Sequence, residues 1–314
     1  MPSKKFHSLF LIFYSILLLS TASITHANPQ QVEIQQQIPL AGAKQNQQFA
    51  LTNPINQQQY LIQVFKPKVP APKAGYPVVY LLDGNAAFPY ASVIAQSIEF
   101  GYQRNKKVPP VVVAIGYPID GTIDVKSRTF DYTPPFKGIL QQHPDRPASP
   151  YPQGGAEQFY QFIQQQLKPV IAQHYQINHE QQTLFGHSYG GLFTLYTFLN
   201  YPESFQNYVA ASPAIWWNDF AIKTQAEKFT NQFKQKHINK TLWLSVGELE
   251  LKKRVQTTNR HTASDIVQLA DQLKNIKGLH VKTFEIAQVT HFEAMFPAIN
   301  LAFKLAESGF TPSD

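Results

Sequence analysis

The stretch "TLFGHSYGGLF", residues 183–193, places a serine between glycines directly after a short apolar run. A Gly-x-Ser-x-Gly pattern is typical of a nucleophilic serine exposed on a sharp turn between a strand and a helix. The flanking runs "QQTLF" and "GLFTLYTFL" favour this strand–turn–helix context. We expect Gly186 and Gly190 to let the turn close without Cβ clashes. Ser188 is therefore the candidate nucleophile, and the alternative is a small residue in a packing turn.

A serine nucleophile needs a base, and with this type of turn the chain order is serine, acid, histidine. Of the ten histidines, His291 lies in "QVTHFEAMF", just beyond the last predicted strand and before the last predicted helix. From there the imidazole could reach back over the edge of the sheet. His291 is the candidate base, and the alternative is a surface histidine in a loop.

Two glutamates compete for the position of the acid. Glu250 follows Gly247 by three residues, which matches the usual Gly-x-x-Asp spacing, whereas Glu248 lies closer to the end of the strand "TLWLSV". The acid would hold the tautomer of the imidazole and stabilise the imidazolium. We favour Glu250, with Glu248 second and a serine–histidine pair without an acid as a third possibility.

Ester or amide chemistry at a serine also needs backbone N–H donors for the oxyanion. One donor is expected from Tyr189, the residue after the nucleophile, and the other from Asn85 or its neighbour Gly84, after "VVYLLDGN". Asp83, in the same segment, is interpreted as a structural turn residue.

Alternating strands and helices must position these residues. The alternating run "YLIQVFKP" predicts a half-buried strand, and continuous apolar runs predict strands covered on both faces: "PVVYLLDG", "PPVVVAIGY", "TLFGHS", "YVAASP", "TLWLSVGE" and "LHVKTFEI". Helical patterns occupy residues 155–175, with a kink expected at Pro169, and residues 264–276, with Ser264 as the expected N-cap. This order predicts an α/β fold with a mostly parallel sheet.

The ends and the connections define the expected organisation. Residues 1–27 have two lysines, an apolar stretch and small residues before Ala27, which predicts a secretory signal peptide. Residues 28–314 are expected to form one domain without disulfides, because the chain contains no cysteine. The Pro-rich segment 118–153 shows little periodicity and follows a strand end, where open α/β sheets bind ligands. The predicted signal peptide leads us to expect a periplasmic or secreted protein without stable membrane insertion.

Other functional classes receive little support from the residues. The net charge of +7 is scattered, and no basic patch with interleaved aromatics indicates nucleic-acid binding. No metal-ligand spacing, HExxH motif or Gly-rich phosphate loop occurs, so no metal or cofactor is expected.

Several motifs make the sequence resemble the putative-esterase family of α/β-hydrolases, and within it the trilactone siderophore esterases. The resemblance is carried by "VVYLLDGNAAF", "VAIGYP", "KSRTFDYTPP", "FGHSYGGLFTLYTFLNYPESFQNYVAASPAIWWND", "LWLSVGELE" and "THFEAMFPAI". It implies hydrolysis of ester bonds in catecholate trilactones such as enterobactin or its glucosylated forms, for iron acquisition in the periplasm. The substrate would be a small molecule, and any iron would arrive bound to it.

The resemblance also implies that Arg128 meets the catecholate or its iron complex. From the residues themselves, one cation and three aromatic rings near the expected pocket mouth suit planar, electron-rich or anionic rings: Arg128, Tyr132, Trp216 and Trp217. The alternative is that the two tryptophans pack under the Pro-rich segment and that Arg128 pairs with Asp131. Serine esterases of other acyl esters (acyl-peptide, acyl-sugar or hydroxycinnamoyl) and a non-catalytic binding protein remain open as functions.

Overall fold

The computed structural model describes residues 43–141, 149–255 and 261–308. The predicted signal peptide, residues 1–27, lies outside these ranges, as does part of the Pro-rich segment. The described residues belong to one compact unit. They include eight strands: β1 (Asn46–Thr52), β2 (Gln59–Phe65), β3 (Tyr76–Leu81), β4 (Val111–Gly116), β5 (Ile177–His187), β6 (Asn207–Ala211), β7 (Lys240–Gly247) and β8 (Leu279–Ile286).

The strands form one sheet in the order β1-β2-β4-β3-β5-β6-β7-β8. β1 and β2 are antiparallel to their neighbours, and β3 to β8 run parallel to one another. Each apolar run predicted to be a strand forms one, which confirms the predicted α/β class. The carboxyl ends of the parallel strands meet at one edge of the sheet, so residues that follow different strands can converge there.

Helices follow most of these strands: α1 (Gly84–Asn105), α2 (Val125–Tyr132), α3 (Ala156–Phe162), α4 (Lys168–His174), α5 (Tyr189–Asn200), α6 (Trp217–Phe233), α7 (Glu248–Val255), α8 (His261–Leu273) and α9 (Met295–Ser308). Alternating strand residues divide the core into two layers. Val79 and Leu81 of β3 pack with α1 and α9, whereas Val78 and Tyr80 pack with α3, α5, α6 and α8. Both faces of the sheet are therefore covered, as continuous apolar strands require.

Three local expectations change. The Pro-rich segment contains the two-turn helix α2, whose N-cap Asp124 accepts from the Ser127 N–H at 2.9 Å; two turns are too short to show periodicity. Ser264 lies inside α8, which begins at His261, so its prediction as N-cap is wrong. The helix around Pro169 contains a π turn, Ile163–Leu167, between α3 and α4. This wider turn precedes the proline, which has no N–H and crowds the preceding turn.

Candidate active site

Ser188 lies on the turn between β5 and α5 in a conformation that L-residues rarely adopt. Its φ is 59° and its ψ is −116°, which is a strained region of backbone space. The Ser188 N–H donates to the Ala211 carbonyl at 3.0 Å, and the Ser188 carbonyl accepts from the N–H groups of Leu192 and Ala214, each at 3.0 Å. These three bonds hold the strained turn and anchor it to the end of β6.

The glycines of the turn are not equivalent. A Cβ on Gly186 would lie 2.2 Å from the carbonyl oxygen of Gly190, and a Cβ on Gly191 would lie 2.9 Å from the Cα of Pro213. A Cβ on Gly190 would lie 3.5 Å from Leu82, an ordinary van der Waals distance. The expectation that the turn needs glycine at Gly190 is therefore wrong, whereas Gly186 is required by backbone contact.

The two substitutions Gly186→Ala and Gly190→Ala should consequently differ in stability. We expect Gly186→Ala to lower the free energy of unfolding by about 3 kcal/mol or more, because a backbone contact cannot relax cheaply. Gly190→Ala should be neutral or slightly stabilising, because alanine favours a helix over glycine by about 1 kcal/mol. Urea denaturation of both variants measures the difference; equal destabilisation would contradict this account of the turn.

His291, which follows β8, contacts both Ser188 and Glu250. Its Nε2 lies 3.0 Å from the Ser188 Oγ, and its Nδ1 lies 2.7 Å from Glu250 Oε2. Because a carboxylate can only accept, the Nδ1–H donates to Glu250, and Nε2 carries the lone pair that accepts the serine hydroxyl proton. The three side chains thus form a continuous hydrogen-bonded series with the polarity that general-base catalysis needs.

Glu250 lies in the first turn of α7, and its carboxylate is held by several hydrogen bonds. Its Oε1 accepts from the Ser212 hydroxyl at 2.6 Å and from the Gly247 N–H at 2.9 Å. Burial alone would raise the pKa of the Glu250 carboxyl. The hydrogen bond and charge of His291, together with the Ser212 and Gly247 donors, outweigh burial and lower this pKa to about 2. Glu250 is therefore an ionised acceptor across the neutral pH range.

Glu248, the competing acid, has a different partner. Its Oε2 accepts from the backbone N–H of Gln288 at 2.8 Å, on an exposed part of the surface. Glu248 and Glu250 both lie in the first turn of α7, but their side chains point in different directions. Only the Glu250 side chain reaches His291.

Substitution of each glutamate by glutamine should separate the two candidates. We expect Glu250→Gln to lower kcat by about 10²–10⁴, because an amide cannot hold the imidazole in the required tautomer as a carboxylate does. Glu248→Gln, the matched control in the same helix, should change kcat by less than about threefold, since a surface substitution seldom matters. Steady-state hydrolysis of an aryl ester measures both. Equal losses, or no loss in Glu250→Gln, would contradict the assignment.

His187, the residue before the serine, has a position that the sequence pattern does not indicate. Its Nε2 lies 2.7 Å from the backbone carbonyl of His291, and the two rings are 4.7 Å apart. Burial, together with the nearby charge of His291, lowers the pKa of His187 to about 3. The ring is therefore neutral, and its Nε2–H donates to the carbonyl. His187 fixes the backbone that carries His291, so the two histidines of the site have different tautomers.

The expected oxyanion donors lie at the beginnings of two helices. Tyr189 opens α5, and Gly84 and Asn85 open α1; the N–H groups in the first turn of a helix point out of its N-terminal end. The Asn85 side chain is clamped to the backbone of Tyr117, accepting from its N–H at 2.8 Å and donating to its carbonyl at 2.9 Å. This clamp fixes the first turn of α1 against the end of β4.

Arg128 is engaged with Asp83 and is nearly buried. Its Nε and Nη2 donate to the two Asp83 carboxylate oxygens at 2.8 and 2.9 Å, and Nη2 also reaches the His187 carbonyl at 3.3 Å. Arg128 is 9% exposed and Asp83 is 4% exposed. Asp83 has a left-handed φ of 53° directly before the first turn of α1. The pair therefore ties the turn before α1 to the turn that carries Ser188.

Asp131, the alternative partner of Arg128, is bonded elsewhere. Its Oδ2 accepts from the hydroxyls of Tyr60 and Tyr117, each at 3.0 Å. Burial raises the pKa of Asp131 to about 7, and the two tyrosine hydrogen bonds offset only part of that rise. The expectation of an Arg128–Asp131 pair is wrong because both residues lie on α2 and only Arg128 faces the Asp83 turn.

The aromatic candidates divide between core and surface. Tyr132 is fully buried with its hydroxyl accepting from the Asp83 N–H at 3.1 Å, and Trp217 is 2% exposed with its Nε1 donating to Gln153 at 2.6 Å. Their placement at a pocket mouth is wrong, since both side chains are buried: Tyr132 lies on α2 within the Pro-rich segment, and Trp217 packs against Gln153 and Phe136 of that segment. Trp216 is half-buried with its ring 5.8 Å from that of Tyr189. Phe292, which no sequence motif singles out, is 82% exposed beside His291.

Neither a metal centre nor a membrane span is found among the described residues. In residues 43–141, 149–255 and 261–308, no group of three or more His, Cys, Asp or Glu side chains is arranged to hold a metal ion. In the same ranges no helix is both long enough and apolar enough to cross a bilayer.

A sheet with this strand order, with a strained serine after β5 and a histidine after β8, defines an α/β-hydrolase. The chain belongs to the family described as "Putative esterase", whose family model matches residues 54–303. It is a carboxylic ester hydrolase.

Characterised relatives and a solved structure agree with this family. The chain is 34% identical to the ferri-bacillibactin esterase BesA of Bacillus subtilis, over 79% of this chain and 84% of the relative. It is 40% identical to a siderophore enterobactin esterase of Emericella nidulans over 48% of this chain and 50% of that relative. The crystal structure of the BES protein from Bacillus cereus superposes with a TM-score of 0.75 at 30% identity, covering 88% of this chain and 99% of that one. The predicted family resemblance is confirmed.

Proposed function

We propose that the protein is a serine esterase that hydrolyses the ester bonds of a catecholate trilactone siderophore. The observation that carries the chemistry is the hydrogen-bonded series from Ser188 through His291 to Glu250. The substrate class rests on the relatives, which are named as esterases of bacillibactin and enterobactin. Iron bound to such a substrate would be cargo, and the chemistry proposed needs no resident metal.

The reaction proceeds in two halves. His291 Nε2 takes the proton of Ser188 as Oγ attacks the ester carbonyl, and the carbonyl oxygen becomes an oxyanion held by the backbone N–H groups of Tyr189 and Asn85. The C–O bond breaks, and the leaving alkoxide takes the proton from His291. Water then attacks the acyl-serine with His291 again as base, which releases the carboxylic acid and restores Ser188.

Aromatic surfaces beside the serine suit the catecholate rings of the substrate. Tyr189, the residue after the nucleophile, forms a half-buried pair with Trp216, and Phe292 lies exposed beside His291. Aromatic rings stack in offset or edge-on arrangements that contribute about 0.5–1.5 kcal/mol each. Arg128 has a positioning role in this proposal, because it pairs with Asp83 before α1 and donates to the carbonyl of His187, the residue before the nucleophile.

The proposed location is the periplasm. It rests on the sequence of residues 1–27, with cleavage after Ala27. Release of the periplasm by osmotic shock, followed by N-terminal sequencing, tests this location: a mature chain that begins at Asn28 supports it, and an uncleaved chain in the cytosolic fraction contradicts it.

A comparison of substrates tests the proposed activity. We expect kcat/KM for apo or ferric catecholate trilactone to exceed that for aryl butyrate, hydroxycinnamoyl esters and acylated sugars. Efficient hydrolysis of a competing ester with no trilactone hydrolysis would leave an esterase of another substrate. Failure to hydrolyse any ester would instead indicate a binding protein with a hydrolase fold.

A further inference from the structure

Tyr132 ends α2, and its buried hydroxyl bonds to the backbone at the point where the chain leaves β3. The N–H of Leu82, just after β3, still donates to the Phe185 carbonyl of β5, at 3.1 Å. The next N–H, that of Asp83, donates instead to the Tyr132 hydroxyl oxygen, also at 3.1 Å. The hydroxyl therefore supplies the acceptor for the first residue of the turn between β3 and α1.

Asp83 has a backbone conformation that needs such support. Its φ of 53° and ψ of 47° are left-handed, which is uncommon for a residue other than glycine. Its carbonyl accepts from the N–H groups of Ala86 and Ala87 in the first turn of α1, each at 3.0 Å. Its carboxylate is held by Arg128. Together with Tyr132, these contacts fix the N–H, the carbonyl and the side chain of Asp83.

The direction of the Asn85 N–H depends on this turn. Gly84 and Asn85 follow Asp83 directly and open α1, and N–H groups in the first turn of a helix have no acceptor within the helix. Gly84 lies so close to β4 that a Cβ there would be 2.8 Å from the Ile115 carbonyl carbon. A donor stabilises an oxyanion only within about 2.7–3.1 Å of it. A change in the backbone angles of Asp83 would therefore misdirect this donor.

The Tyr132 ring contacts the helix that begins with the other expected donor. Its centroid lies 6.0 Å from that of Phe193, a buried residue of α5, and α5 begins at Tyr189. The ring is also packed against Phe159 of α3, at 5.5 Å. One side chain thus touches α5 through its ring and the turn before α1 through its hydroxyl.

We propose that Tyr132 is a positioning residue for the oxyanion of ester hydrolysis, acting through the backbone of Asp83 on the direction of the Asn85 N–H. The inference rests on the serine mechanism of the proposed function. It gives Tyr132 a role other than the substrate contact that the sequence pattern suggests. Because the oxyanion forms only as the ester carbonyl is attacked, loss of the hydroxyl should weaken binding of the transition state and leave binding of the substrate unchanged.

Tyr132→Phe tests this role, because it removes the hydroxyl and keeps the ring. We expect kcat/KM for an aryl ester to fall at least about tenfold. A trifluoromethyl ketone with the same acyl group adds to Ser188 and forms an oxyanion in the same position, so its inhibition constant should rise by the same factor. The ether analogue of the ester has no carbonyl and reports binding of the ground state, and its inhibition constant should change less than about twofold.

Tyr208→Phe is the matched control. Tyr208 is also fully buried, and its hydroxyl accepts from the backbone N–H of Phe205 at 3.1 Å. It lies near the start of β6, whereas Ser188 follows the end of the parallel strand β5. Both variants leave a buried N–H without its acceptor, so each should lower the thermal midpoint by about 2–6 °C. In Tyr208→Phe, kcat/KM and both inhibition constants should stay within about twofold of wild type.

Hydrogen exchange provides a readout that needs no turnover. The amides of residues 83–88 should exchange faster in Tyr132→Phe than in Tyr208→Phe or wild type. Unchanged exchange there, unchanged kcat/KM in Tyr132→Phe, or equal weakening of the ketone and the ether analogue would overturn the proposal. Wild-type activity in Ser188→Ala would instead overturn the serine mechanism, so the two failures are distinguishable.

Discussion

Replacement of Ser188 by alanine is expected to lower kcat for ester hydrolysis by about 10⁴–10⁶. The substitution removes the Oγ that lies 3.0 Å from His291 Nε2. It leaves the turn intact, because serine and alanine both carry a Cβ at the strained φ of 59°. Steady-state kinetics with the purified variant measures the loss, and an unchanged thermal midpoint shows that the fold is retained.

A fluorophosphonate probe provides the control for this loss. The wild-type protein should incorporate one phosphonyl group, and Ser188→Ala should incorporate none. Ser92→Ala is a matched variant, since Ser92 is also buried but donates to the Pro89 carbonyl within α1; it should be labelled like wild type. Residual activity above about one tenth of wild type in Ser188→Ala would contradict the role of this serine.

Substitution of Arg128 by methionine should lower the free energy of unfolding by about 3–5 kcal/mol, because it leaves the buried Asp83 carboxylate without its cation. The two side chains are joined by bonds of 2.8 and 2.9 Å and are nearly inaccessible to solvent. Activity should fall as well, since the pair connects the turn before Gly84 with the carbonyl of His187. Urea denaturation and aryl-ester kinetics measure the two effects.

The double variant Asp83→Asn/Arg128→Met separates this positioning role from substrate contact. Removing the orphaned charge should recover part of the lost stability, so the two substitutions should be strongly non-additive. If Arg128 instead contacted the substrate directly, Arg128→Met would raise KM for the trilactone and leave the free energy of unfolding unchanged. That outcome would contradict the structural account of Arg128.

The sequence pattern was sufficient for the sheet because its strands are covered on both faces. Continuous apolar runs such as those of β3 and β4 are typical of strands buried on both sides, and the α/β class followed from their alternation with helices. Short elements escaped prediction. Helix α2 has only two turns and lies among prolines, and the start of α8 precedes the serine that resembled a cap.

The candidate site was partly accessible from sequence for a topological reason. Parallel strands end at one edge, so residues after β5, β7 and β8 must approach one another, which brings Ser188, Glu250 and His291 together. The choice between Glu248 and Glu250 depends on the direction of one helical turn, which spacing alone could not fix. The residues that hold the catalytic groups in place could not be predicted from sequence spacing, because their partners are distant in the chain. The hydrogen bond from His187 to the His291 carbonyl, for example, spans 104 residues. The same holds for Arg128, whose partner Asp83 is 45 residues away.

Acid-quench mass spectrometry tests the central claim most directly. The protein is mixed with a catecholate trilactone, quenched within the first turnover and digested. The account predicts a covalent adduct that adds the mass of one intact trilactone, bound as its ring-opened acyl ester, to the peptide that contains Ser188, and no such adduct in Ser188→Ala. Release of hydrolysed trilactone without an adduct, and with equal rates in the two proteins, would contradict it.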